Sequence, residues 1–336
     1  LKDVNVIGPQ KQGALLEGSK SFAKEFMIRN NIPTAKYLKV NKNNIDEGNL
    51  FLESLSPPYV LKADGLASGK GVLIINNLNE AKIELRRMLF DQKFGEASKN
   101  VVIEEFLEGI ELSCFVLTDG KNYINLPMAK DYKKIGEGDI GLNTGGMGAI
   151  SPVPFVSEGF KNKIDKEIIK PTIKGLNKEK IPFRGFLFIG LIKVKDKPKV
   201  IEYNVRMGDP ETEVVLPRIK NDFGEILTSL VTNKLKFVKM EFSIDSVATI
   251  VSVSQGYPEK YEKGKEIKGL DENTESIIFH CGTIKSSKKV FTNGGRVLAV
   301  TSFGKDFKLA LSKSYSFIKN IKYEGIYYRK DIGFDL

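Results

Sequence analysis

Apolar positions along the chain follow two spacings, and the changes from one to the other mark the elements. Tyr59-Val60-Leu61-Lys62-Ala63 and Gly71-Val72-Leu73-Ile74-Ile75 are short runs rich in branched residues, which reads as two strands. Val101 to Phe106, Glu111 to Leu117, Gly185 to Val194, Lys199 to Val205, Val247 to Val253, Ile277 to Phe279 and Arg296 to Ser302 read the same way. Lys195-Asp196-Lys197-Pro198 is the turn between two of them, and Val4-Asn5-Val6-Ile7 is a short buried strand cut off by Gly8-Pro9. A helical spacing takes over from Glu17 to Asn30. There Phe22 and Phe26 fall one turn apart, Ser19 sits near the start, and Asn31-Ile32-Pro33 follows. Asn79 predicts the cap of a helix with Ile83, Leu85, Met88 and Leu89 inward. Residues 160–177 are helical in spacing but carry Pro171, which predicts a kink or break. Asn221 to Val231 and the set Phe307, Leu311, Tyr315 and Ile318 give two more helices.

The order of elements suggests several units. Residues 35–100 behave as a small α/β unit, and from about Phe242 the chain turns into a compact α+β module. One strand cannot form a domain, so Val4–Ile7 reads as the last strand of a preceding unit, and the absence of an initiator Met points the same way. With 336 residues the chain is long enough for two or three domains and a sizeable core. No apolar run reaches the ~18 residues of a membrane span.

Composition narrows the chemistry. His280 is the single histidine, which disfavours Ser-His-Asp triads and His-rich metal sites. Cys114 and Cys281 have no CxxC partner and read as two buried, reduced thiols of a cytoplasmic protein. Catalysis must then rest on carboxylates, lysines, backbone amides or a hard metal ion. The 52 Lys+Arg against 42 Asp+Glu leave a net charge of +10. Only eight of those basic residues are Arg, and the lysines are scattered, so a nucleic-acid stripe is not the reading. A field of this sign equally suits small anionic substrates.

Four segments carry candidate chemistry. Asp64 to Gly71 holds three glycines in eight residues between two strands, with Lys62 before it and Lys70 inside it. Glycines let backbone amides approach phosphate oxygens, although a flexible hairpin tip would look the same. In Val200-Ile201-Glu202-Tyr203-Asn204-Val205-Arg206, strand alternation puts Glu202, Asn204 and Arg206 on one face. That face offers hard oxygen ligands for Mg²⁺ and a cation for phosphoryl charge, or it is merely the polar side of an exposed strand. Met207-Gly208-Asp209-Pro210-Glu211 follows as a rigid acidic turn. Val101 to Leu107, then Glu108-Gly109-Ile110-Glu111, could present backbone groups to an adenine edge and Glu111 to a ribose, or could be a core strand with surface acids. Gly136 to Gly148 packs six glycines into thirteen residues, and a loop this long is functional or disordered.

These segments, in this order, resemble the ATP-grasp ligases, and more narrowly the glycinamide ribonucleotide synthetase (phosphoribosylamine–glycine ligase) family. The matching runs are Leu16 to Lys20, Val60 to Val72, Ile103 to Leu107, Asn143 to Ala149 and Glu202 to Thr212, with Thr292 to Val297 and Arg329 to Gly333 similar to the family's C-terminal domain. The resemblance implies an α/β (α+β) ATP-grasp fold. Residues 17–34 and 102–237 would form the central domain, 35–101 the lid, 238–336 the C-terminal domain, and 1–16 the remnant of a Rossmann-like N-terminal domain.

By the same resemblance, Lys20 and Lys62 meet ATP phosphates, and Gly65, Ser68, Gly69, Lys70 and Gly71 fold over them. Glu104, Glu105, Phe106 and Leu107 take adenine and Glu111 the ribose. Glu202 and Asn204 bind Mg²⁺ or Mn²⁺. Arg206 and Asp209 line the phosphoryl-transfer site. Asp131, Lys133, Asn143, Thr144, Gly145 and Gly146 shape the pocket for glycine and the amine. Where the family usually has Gln, His and Arg, this chain has Lys130, Tyr132 and Lys134, which exchanges an arginine fork for a point charge. The implied protein is a cytoplasmic monomer acting on ATP, glycine and 5-phosphoribosylamine, with no nucleic-acid or membrane partner. His280 is read as structural. Two other readings remain: a different ATP-grasp carboxylate–amine ligase, and an ATP-binding chain without turnover.

Overall fold

The computed structural model describes residues 4–67, 71–270 and 275–336. Three antiparallel sheets carry the framework. The first has the order Tyr37–Val40, Val101–Glu105, Tyr59–Ala63, Val72–Ile75. Helices Ile45–Glu53 and Leu78–Phe90 cover it, burying Leu52, Leu85, Met88 and Leu89 against Leu61, Val101 and Ile103. The cap of the second helix is Asn77, whose side chain accepts from the Glu80 amide at 3.0 Å, and not Asn79. Ile83 is 53 % exposed, so it lies off the apolar stripe instead of joining the core.

The second sheet runs Lys197–Asn204, Gly185–Val194, Ile110–Thr118, Tyr123–Asn125. Its inner face packs on helix Lys20–Arg29 and on residues 158–178 through Phe26, Met27, Ile164, Ile168, Ile173 and Tyr203. The spacing from Glu17 to Asn30 resolves into two helices, Lys11–Gly18 and Lys20–Arg29. Ser19 separates them with extended backbone and caps the second, accepting from the Phe22 amide at 3.1 Å. The break expected near Pro171 takes the form of a wide turn. Helix Glu158–Ile164 loosens over Asp165–Ile169 before Lys170–Lys178 continues, with Pro171 in its first turn, where a missing N–H costs nothing.

The third sheet crosses what composition suggested as a boundary. Its order is Ile277–His280, Arg296–Gly304, Ser246–Val253, Gly148–Ser151, Lys130–Asp131. Strands from the middle of the chain thus pair directly with strands beyond residue 242, and helix Phe307–Ile318 packs on the result. Residues 4–7 form no strand. Val4 and Val6 are each 59 % exposed, and an unpaired segment has nowhere to place its backbone hydrogen bonds except water. Cys114 is buried as expected, but Cys281 is exposed at the end of an edge strand. Among the described residues no helix is long and apolar enough to cross a membrane.

Candidate active site

A cavity of about 440 Å³ opens between the first and second sheets. Its floor is built by helix Lys20–Arg29 and the strand Lys197–Asn204, its roof by Lys62, Leu66, Ala67, Gly71 and Val72. Both walls are joined at one point. Asp64 accepts the Ser21 amide at 2.6 Å, the Ser21 hydroxyl at 3.0 Å and the Ser19 hydroxyl at 3.1 Å. The Asp64 carbonyl accepts the Lys20 amide at 3.1 Å, and the Gly65 carbonyl takes the Lys20 ammonium at 3.5 Å. The glycine-rich loop therefore leaves the sheet from a fixed anchor. Gly71 closes it tightly: a Cβ there would lie 2.7 Å from that of Ala67. Ser68, Gly69 and Lys70 lie outside the described residues.

Cations gather in this cavity. Lys20 is desolvated by burial, which lowers its pKa against the pull of Glu202. Lys62 lies 3.0 Å from Glu104, and Lys24 lies 2.9 Å from the other oxygen of the same carboxylate. Burial alone would raise the Glu104 pKa, yet the two lysines hold it below the usual carboxylate range. Glu104 is thus spoken for by lysines, and its strand ends at Glu105. The Glu105 side chain accepts the Lys36 amide and pairs with Lys199 at 3.2 Å, while Phe106 is exposed.

The alternation expected along residues 202–206 is present. Asn204 donates to Glu202 at 3.3 Å, and Arg206 donates to the Asn204 oxygen at 3.3 Å. Glu17 fixes the end of this row, accepting the Val205 amide at 2.9 Å and the Arg206 guanidinium at 3.0 Å. No cluster of three or more His, Cys, Asp or Glu suited to a metal occurs among the described residues. An exposed carboxylate beside one carboxamide fits Mg²⁺, which takes few protein ligands and completes its shell with phosphates and water.

A second constellation flanks the first. Asp131 and Glu111 bracket Lys133, the latter at 2.6 Å, and together they raise its pKa although burial opposes them. The Asp131 carboxyl is itself raised, by burial first and by Glu111. In the loop Asn143 to Gly146, Thr144 donates to the Lys133 carbonyl at 2.8 Å and accepts the Gly146 amide at 2.9 Å. Gly146 has φ +116°, and a Cβ there would lie 2.3 Å from Pro210, so only glycine lets this loop meet the 209–211 turn. Asn143 stands exposed at the end of a strand, Ile140–Asn143.

Several residues of the site carry no obvious sequence signal. Arg296, inside a run that resembled the family but assigned no role there, reaches back from the third sheet to Asp209 and Gly145. Glu211 is buried beneath Asp131, accepting the Ser113 hydroxyl at 3.0 Å. Burial, then Asp131, pushes its carboxyl up to about 7. Burial and Asp209 likewise push Glu213 up to about 7. Lys24 was legible in one respect, standing one helical turn after Lys20. The unusual Lys130 and Tyr132 turn away from the site: both side chains engage Asp335, at 3.1 and 2.9 Å.

A roofed cleft whose lysines face a carboxylate–carboxamide strand across the mouth of a glycine-anchored loop is the arrangement of an ATP-grasp enzyme. The fold agrees: the biotin carboxylase domain of Hydrogenobacter thermophilus 2-oxoglutarate carboxylase, solved with MgADP, superposes with a TM-score of 0.73 at 16 % identity, covering 97 % of this chain and 70 % of that one. The sequence is more specific. Residues 18–212 match the phosphoribosylglycinamide synthetase ATP-grasp (A) domain and residues 247–335 the C domain of the same enzyme, so the chain belongs to the phosphoribosylglycinamide synthetase family. It is 43 % identical to a phosphoribosylamine–glycine ligase of Caldanaerobacter subterraneus over 98 % of its own length and 78 % of the relative's. The crystal structure of the Thermotoga maritima phosphoribosylamine–glycine ligase superposes with a TM-score of 0.90 at 37 % identity, covering 98 % of this chain and 82 % of that one.

Proposed function

We propose that this chain is an ATP-dependent ligase that joins glycine to 5-phosphoribosylamine, giving glycinamide ribonucleotide, ADP and phosphate in purine biosynthesis. The observation that carries the reading is the contact between the two constellations. The turn that follows the Glu202–Asn204–Arg206 row is the turn that Gly146 and Arg296 lock onto the Asn143–Gly146 loop. A phosphoryl-transfer row and an amino-acid pocket are thereby held side by side.

In this reading Lys20 and Lys62 bind the ATP phosphates together with Gly65, Ser68, Gly69, Lys70 and Gly71. Adenine lies along Glu105, Phe106 and Leu107, and Glu111 reaches the ribose. Glu202 and Asn204 hold a divalent ion, Mg²⁺ or Mn²⁺. When bound, such an ion screens the β- and γ-phosphate charge. Arg206 faces the γ-phosphate and stabilises the charge that develops there.

A glycine carboxylate oxygen attacks the γ-phosphorus, the bond to the β-bridging oxygen breaks, and ADP departs. The amine nitrogen of phosphoribosylamine then attacks the carbonyl carbon of glycyl phosphate. Phosphate leaves with the electrons of the C–O bond and the nitrogen gives up a proton. Asp131, Lys133 and residues 143–146 orient the amino acid, so most of the rate comes from positioning and charge. No histidine is needed. In this reading the enzyme acts as a monomer in the cytoplasm.

The test is an ADP-release assay on the purified chain with ATP, Mg²⁺, glycine and phosphoribosylamine. ADP should form only when both co-substrates are present. Release that is indifferent to omitting either one defeats the assignment, and release with other amino acids or amines but not these points to a different ligase of the same fold.

A further inference from the structure

In the wall of the cavity sits a buried triad of two lysines on one carboxylate. The side chains of Lys24, Glu104 and Lys62 are 2 %, 5 % and 9 % exposed. The two halves of this triad are not alike. The Lys24 ammonium lies 2.9 Å from Glu104 Oε2 and donates to the Thr34 hydroxyl at 2.7 Å, which in turn donates to the Val200 carbonyl at 2.7 Å. Its donors are spent on the wall. Lys62 lies 3.0 Å from Oε1, yet Oε1 accepts no aligned hydrogen bond. Lys62 is held by this ion pair, on the strand that leads into the glycine-rich loop.

The triad carries a net charge of plus one in its buried part, and the next carboxylates to act on its lysines are Glu105 on Lys24 and Glu111 on Lys62. A single lysine opposite Glu104 would form a closed ion pair. Pulling that lysine away would strand a buried carboxylate without a partner, which is strongly unfavourable. With Lys24 in place the carboxylate keeps a partner when Lys62 leaves.

Resting on the reading of this cavity as the ATP site, we propose that Lys24 is a positioning residue for nucleotide. It keeps Glu104 neutralised so that Lys62 is free to turn to a phosphate oxygen. Burial lowers the pKa of Lys24 to about 8, and the Glu104 charge opposes that shift.

The experiment is calorimetric titration of ATP with Mg²⁺ into the wild-type chain and into Lys24→Met, Glu104→Gln and the double variant. Lys24→Met should weaken ATP binding about tenfold or more, because Lys62 becomes locked onto Glu104. In the Glu104→Gln background there is no charge left to neutralise, so adding Lys24→Met should change affinity less than twofold. In the turnover assay Lys24→Met should raise the KM for ATP and leave the KM for glycine unchanged. Wild-type affinity in Lys24→Met overturns the proposal, and so does an equal loss in both backgrounds, the result a merely structural lysine would give. Should Lys24→Met fail to fold alone, the comparison of Glu104→Gln with the double variant decides it, a tenfold loss there overturning the proposal. If the wild-type chain binds no ATP, the reading of the cavity itself is wrong, an outcome distinct from the others.

Discussion

Arg296 grips Asp209 with both arms of its guanidinium, Nη1 lying 2.8 Å from Oδ1 and Nη2 2.8 Å from Oδ2. The same Nη1 donates to the Asp209 carbonyl at 3.0 Å and to the Gly145 carbonyl at 2.8 Å. One side chain from the third sheet therefore ties the turn after the Lys197–Asn204 strand to the Asn143–Gly146 loop, which the proposed function makes the metal-holding strand and the amino-acid loop. Lysine cannot copy this, since an ammonium is a point donor without the planar fork. Arg296→Lys should lower kcat/KM for glycine by on the order of tenfold to a hundredfold. ATP affinity, set across the other wall, should stay within about twofold. Steady-state kinetics with each substrate varied in turn, alongside ATP titration, checks both halves.

Glu202 stands exposed at the mouth of the cavity, where its carboxylate accepts a 3.3 Å bond from Asn204. Removing it should leave the fold untouched, since exposed substitutions shift stability by roughly ±0.5 kcal/mol. Glu202→Ala should keep the wild-type melting temperature but lose Mg²⁺-dependent turnover by about a hundredfold or more. Unchanged activity at ordinary Mg²⁺ would remove Glu202 from the metal site.

Local pattern made most of the framework legible. The strands at 59–63, 185–194 and 246–253 and the helix at 307–318 were readable because each buries a run or stripe whose period is set by its own backbone. Glu202, Asn204 and Arg206 were readable for the same reason. What escaped was set by partners distant in sequence. Whether 4–7 pairs as a strand depends on a neighbour, and the sharing of a sheet between 148–151 and 246–253 is a tertiary choice. Arg296 is 87 residues from Asp209, and no periodicity links them. Lys24 looks like an ordinary helix-surface lysine until Glu104, 80 positions on, is folded against it.

Glu211 makes stability depend on pH in a direction opposite to the usual carboxylate. Its folded pKa, about 7, lies above the ordinary glutamate value of 4.5, so between those values the folded chain holds a proton that the unfolded chain has released. Stability therefore falls as pH rises through that window, by up to about 1.4 kcal/mol per pH unit for one proton. The penalty is fully present above about pH 7 and absent below about pH 4.5. Glu213, also near 7, adds to the same slope. Glu211→Gln should flatten the decline in melting temperature between pH 5 and about pH 8. Identical pH profiles for the variant and the wild type would show that Glu211 is ionised throughout.

Arg329 is fully buried and holds the strand pair that leads into the amino-acid loop. It donates twice to Asp331 at 2.8 Å, to Asp139 at 2.6 Å and to the Lys134 carbonyl at 3.2 Å. Asp331 in turn accepts the Gly138 amide at 2.6 Å, and the Tyr327 hydroxyl donates to the Ile135 carbonyl at 3.0 Å. Residues 134–139 are thus pinned by the C-terminal segment, and the returning strand Ile140–Asn143 runs straight into Thr144. Breaking a buried ion pair from one side costs about 3–5 kcal/mol. Arg329→Met should therefore lower the melting temperature by several degrees, on the order of 2–4 °C per kcal/mol for a chain of this class. The milder Tyr327→Phe removes one external tether and leaves the charges alone. It should raise the KM for glycine a few-fold with the melting temperature and the ATP affinity unchanged. A glycine KM equal to that of the wild type would mean that the 134–143 hairpin keeps its place without this tether.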